Sequence, residues 1–114
     1  MIKDTKTENI KEGVDLKSLN DLVKYFKIYE RNILINRKNE IKYYVKMGKI
    51  IKNINEMYPE NWILVLKENE IKYFKTYLIF LIQLYKLFNK YKNLNDTTLS
   101  LSFFKRNLTL LSKF

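Results

Sequence analysis

The sequence predicts an all-α domain, a single small bundle of four or five helices. Apolar residues recur at three- and four-residue intervals along most of the chain, and strict alternation is nowhere sustained. With 114 residues, 46% of them hydrophobic, the chain is long enough for one buried core and too short for two domains.

The first dozen or so residues, MIKDTKTENIKEG, are polar, carry both charge signs and contain no apolar run, so residues 1–14 are expected to be a flexible segment ahead of one domain at 15–114. From Asp15, a candidate N-cap, to about Asn36, the residues Leu16, Leu19, Leu22, Val23, Phe26, Tyr29 and Ile33 fall on one side of a helix. Ile28 stands out of pattern on the polar side. From about Lys38 to Met57 a second amphipathic segment puts Ile41, Tyr44, Met47, Gly48, Ile51, Ile54 and Tyr58 on one broad arc. The junction at 36–39 has neither proline nor glycine, so two helices and one long helix both fit.

Pro59 breaks the second segment and suits the first turn of a new helix, with Glu60 near its positive end. Residues 60–68 read as a short helix carrying Trp62, Val65 and Leu66, with a strand as the alternative. From Glu70 to Tyr91 the pattern is helical and mostly apolar, with Lys72, Thr76, Gln83, Lys86 and Lys90 forming a narrow polar strip, and this is expected to be the central helix. The cap and turn formers at 93–98 read as a loop. A last helix follows, capped by Ser100 or Ser102, with Phe104, Leu108 and Leu111 inside and Lys105, Arg106 and Lys113 outside.

Composition excludes much chemistry. The chain has neither cysteine nor histidine, which removes disulfides, thiol nucleophiles, imidazole or thiolate zinc sites and every triad built on a histidine base. The close carboxylate pairs, Glu56 with Glu60 and Glu68 with Glu70, are separated by the proline break or point apart on a helix. No enzyme activity, metal or cofactor is expected. No uninterrupted apolar run reaches the length of a membrane span, Thr76–Tyr85 being ten residues before Lys86.

The net charge of +10 suits a polyanionic partner. Yet 19 lysines against 3 arginines, with 13 asparagines and no alanine, is also what an AT-rich genome would encode, whereas selection for phosphate-gripping forks favours arginine. Position is more informative than amount. On the second segment Lys38, Lys42, Lys46, Lys49 and Lys52 project within a fan of roughly 120°, and Glu40, a nearby acid, lies outside it. Five ammonium groups on one face match a phosphate backbone, and a plain solvated face is the competing reading. Lys72, Lys75, Lys86 and Lys90 are candidate auxiliary contacts.

Gly48, on the apolar arc of the same segment, costs helix stability relative to alanine and so points to close backbone packing. Trp62 reads as a core anchor, with base stacking the alternative, and most of the nine tyrosines should bury their rings and reach the surface with their hydroxyls.

Lys46-Met47-Gly48-Lys49-Ile50-Ile51, then Tyr58-Pro59-Glu60-Asn61-Trp62, then Leu66-Lys67-Glu68-Asn69-Glu70 and a long helix ending Tyr85-Lys86-Leu87-Phe88 resemble, over residues 40–92, a segment of small helical accessory proteins of phages and plasmids. In those a glycine-bearing helix precedes a tryptophan-containing helix, a turn and another helix, and some members accompany replication or partition. The resemblance implies a non-enzymatic role on a mobile element. Phe80, Leu81 and Ile82 replace that family's small residues, so the last helix of the segment is not expected to read a DNA groove, and no site residues carry over.

These readings combine into a basic helical accessory protein that binds nucleic acid, DNA before RNA, without sequence preference, in the cytoplasm or nucleoid, or in the cytoplasm or nucleus of a host cell if viral. The alternative is a helical interaction module, an oligomer subunit or an inhibitor of another protein. An anionic membrane surface ranks last as a partner.

Overall fold

The computed structural model describes residues 18–35, 40–92, 94 and 101–111. Within them the fold is all-α, with five helices: α1 (Leu19–Ile35), α2 (Glu40–Met57), α3 (Trp62–Glu68), α4 (Lys75–Lys90) and α5 (Leu101–Leu111). The expected flexible segment 1–14, the caps Asp15 and Ser100 and the side chains of Leu108 and Leu111 lie outside the described residues.

Ser18 caps α1, its hydroxyl accepting the Asp21 backbone N–H at 3.1 Å. The α1 and α2 helices pack against each other, which one continuous helix cannot do, so the two segments are separate helices. Tyr29 and Tyr43 stack across this hairpin with ring centroids 6.1 Å apart. Pro59 lies in the turn before α3 rather than in its first turn, while Trp62 opens the helix as a buried anchor.

The expected helix from Glu70 begins only at Lys75, because the end of α3 closes on itself. Ile71 N–H donates to Leu66 O at 2.9 Å and Glu70 N–H to Lys67 O at 3.1 Å, with Glu70 in the left-handed region at φ 65°. This is a Schellman ending in which a glutamate occupies the position glycine usually takes, and Leu66 and Ile71, both buried, supply its apolar contact. Lys72 is therefore on the linker, not on α4.

The hub is α2 rather than the expected α4: it packs on α1, on α4 and on α3, while α5 packs on α4. Serving several neighbours, α2 buries a wider arc than one amphipathic stripe, which is why Ile50 is in the core beside Ile41, Met47, Ile51 and Ile54. Tyr25 on α1 is likewise buried beyond the expected face, and Ile28, out of pattern in the sequence, packs at the core's edge. One apolar cluster joins α1, α2, α3 and the start of α4. A second gathers Ile41 with Leu84, Leu87, Phe88 and Phe104. Because the start of α2 meets the end of α4 there, the two helices run antiparallel. No described helix is long and apolar enough to cross a membrane.

Gly48 marks the crossing of α2 and α4. A Cβ at this position would stand 2.0 Å from the Leu81 carbonyl oxygen and 2.7 Å from its carbon, both backbone atoms that cannot swing aside. Gly48→Ala should therefore destabilise the fold by about 2 kcal/mol, overpacking outweighing the gain in helix propensity of roughly 1 kcal/mol. Urea unfolding would show this as a lower midpoint at unchanged slope.

Candidate nucleic-acid interface

Of the five lysines expected on one face of α2, Lys42 and Lys49 are exposed and make no ion pair with any described residue. Lys46 is half-buried, its ammonium 5.5 Å from the Tyr29 ring centroid on α1, where a cation is attracted to the face of the ring. Lys52 pairs with Glu56 one turn further on. Glu56 projects at about −40° from Lys42, inside the fan, so it rather than Glu40 is the acid that moderates this face. Lys38 lies outside the described residues.

The four auxiliary lysines are dispersed. Lys75 and Lys90 begin and end α4, about 22 Å apart along its axis. Lys90 complements the negative end of that helix, and its ammonium stands 5.2 Å from the Tyr91 ring centroid. Lys86 is exposed one turn earlier, and Lys72 Nζ lies 3.3 Å from a Glu70 carboxylate oxygen on the linker.

A denser grouping forms elsewhere. The end of α3, the linker, the first turn of α4 and α5 enclose a groove of about 660 Å³ lined by Lys67, Lys72, Lys75 and Lys105. Ile63, Tyr73, Phe74 and Tyr77 supply its apolar walls, and no acid among the described residues lines it. Lys67 and Lys75 make no ion pair with any described residue. Lys105 extends over Tyr77, 5.7 Å from the ring centroid. None of the α2 lysines lines this groove. Lys67, Lys105 and Phe74 were not expected here, because only the packing of α5 against the α3–α4 region brings them together.

Tyr73 and Tyr77, with ring centroids 5.1 Å apart, divide this groove from a second of about 550 Å³ that mixes Glu30 and Glu70 with Lys27 and Arg31. Tyr73 donates its hydroxyl to the Glu30 carboxylate, tying the linker to α1. Burial and then that carboxylate push the Tyr73 phenol well above its ordinary value. Burial and the neighbouring Tyr44 and Glu30 do the same for Tyr77. The unfolded chain ionises these phenols near pH 10, while the folded chain holds the protons. Their contribution to stability is thus complete below about pH 10 and is lost as pH rises through the folded values. A Tyr73→Phe/Tyr77→Phe variant should accordingly lose less stability than the parent between about pH 9 and pH 11, measured by urea midpoints across that interval.

Of the carboxylates considered for acid–base work, Glu56 and Glu70 are engaged by Lys52 and Lys72. No cluster of three or more metal-ligating side chains occurs among the described residues. Comparison of the chain with protein-family models, curated proteins and solved structures gives no match.

Proposed function

We propose that this protein binds nucleic acid without sequence preference by neutralising backbone phosphates. The observation that carries the reading is the convergence of Lys67, Lys72, Lys75 and Lys105 on one groove with no acid in its described lining. A polyanion laid along that groove releases its condensed counterions for each phosphate met by an ammonium group. Lys42 and Lys49, exposed on α2, add attraction from a second surface. Lysine, a point charge on a flexible stem, suits a backbone whose spacing matters and whose bases do not. The role fits an accessory protein of AT-rich mobile DNA, in keeping with the resemblance over residues 40–92.

About four phosphate contacts give a slope near −3.6 for log affinity against log salt on duplex DNA. In fluorescence anisotropy with a random-sequence oligonucleotide, Lys67→Glu/Lys75→Glu should weaken binding about tenfold or more and flatten that slope. Lys42→Glu/Lys49→Glu should do less. A salt-insensitive interaction, or one indifferent to both variants, removes the reading.

A second reading, a helical interaction module, is favoured by Leu34 and Ile35, adjacent on α1 and each 74% exposed. Light scattering on nucleic-acid-free protein separates the two: a stable oligomer that ignores DNA supports the module, and a monomer that binds DNA supports the first reading.

A further inference from the structure

We propose that the groove between α3, the first turn of α4 and α5 takes an unpaired nucleobase against Phe74, with the flanking phosphates on Lys67, Lys75 and Lys105, so that the protein selects single strands over duplex. This rests on the nucleic-acid reading above and adds the strand preference to it.

Three features of the groove call for such a ligand. Phe74 is 85% exposed and lines the groove, so its ring covers no core. It also holds the N-cap position of α4, where no side chain accepts a helix N–H and where serine, threonine or aspartate would stabilise the fold. Folding thus gains from neither the burial nor the cap, whereas an open aromatic face is what base stacking uses.

The charges at this helix start are also inverted. Negative groups stabilise the positive end of a helix, yet the first turn of α4 contains no acid and opens on Lys75, with Lys72 just ahead of it. A bound phosphate reverses this repulsion and meets two more ammonium groups, those of Lys67 and Lys105, within the same lining. The space is adequate, since about 660 Å³ lies within the range of roughly 300–1,000 Å³ in which small-ligand clefts fall. Tyr73, fixed by its hydrogen bond to Glu30, makes one wall rigid before anything binds.

The alternation of apolar ring and ammonium group defines the chemistry of the ligand. Duplex DNA presents phosphates but keeps its base faces stacked, so it can use the lysines and leave Phe74 idle. A single strand can use both. The discriminating measurement is anisotropy at one salt concentration with oligothymidylate and with a duplex of equal length, for the parent, Phe74→Ala and Phe74→Trp. The parent should bind the single strand about tenfold more tightly than the duplex. Phe74→Ala should lose that margin with duplex affinity unchanged, and Phe74→Trp should restore it. Circular dichroism should be the same for all three, as the side chain is outside the core.

Equal affinity for the two forms, or a margin that survives Phe74→Ala, overturns the strand preference and leaves charge-driven binding standing. Competition by thymidine monophosphate as strong as by the oligonucleotide assigns the groove to free nucleotides and overturns it too. Failure to bind either oligonucleotide removes the underlying reading together with this one.

Discussion

The contact on which the architecture depends is the approach of Gly48 to the backbone of Leu81. Two helices separated by ordinary side chains leave room for a Cβ, and here that atom would overlap a carbonyl group. The absence of one side chain lets α2 and α4 meet backbone to backbone, and residues on both sides of the crossing then close over it. Toward one end Met47, Ile51 and Ile54 join Leu78 and Leu81, and toward the other Ile41 joins Leu84, Leu87 and Phe88. Each fully buried side chain of this size contributes roughly 1.5–3 kcal/mol, so the depth of the crossing governs a large share of the apolar stabilisation. It also fixes where α4 begins relative to α3, and hence the shape of the cationic groove.

Helix identities and inner faces were legible in the sequence because apolar spacing reports one partner per helix. The buried arc of α4, Leu78, Leu81, Leu84, Leu87 and Phe88, is a single stripe of that kind, although its far end also meets Phe104 of α5. The reading became incomplete where a helix has several partners. Ile50 lies on a flank that an amphipathic stripe assigns to the boundary, on a helix with three neighbours, and it is buried with Tyr25 in the cluster that joins α1, α2, α3 and the start of α4. The start of α4 is not legible in the apolar spacing for a different reason. Its boundary is set by Glu70 in a left-handed conformation, and the usual sequence sign of that conformation, a glycine, is missing.

The site divides in the same way. The lysine arc of α2 was legible from the helical angle alone, and so was its moderation, since Glu56 follows Lys52 by four residues. By the same angle Glu56 falls on the lysine face, which among the described residues leaves Lys42 and Lys49 exposed, with Lys46 held near Tyr29. The groove had no such signal. Lys67, Lys75 and Lys105 sit on three helices, and their convergence is a product of the tertiary packing rather than of any periodicity in the chain.

Nucleotide bias and function make different demands on a lysine-rich chain. Bias sets how many lysines there are, and folding then requires that their ammonium groups reach water. Neither requirement makes them converge, and mutual repulsion favours spreading them or pairing each with an acid, as Lys52 and Glu56 are paired. Lys72 keeps such a partner in Glu70, but Lys67, Lys75 and Lys105 converge on one cavity whose described lining holds no acid, beside the positive end of a helix and an aromatic ring left in solvent, and so depart from those preferences at one place. Places where several local rules are broken together are where functional or strained sites are expected, and this is the basis of the proposed role. The proposal of an anionic ligand therefore rests on the placement of these side chains rather than on the net charge, and it would stand unchanged if the remaining lysines were neutral.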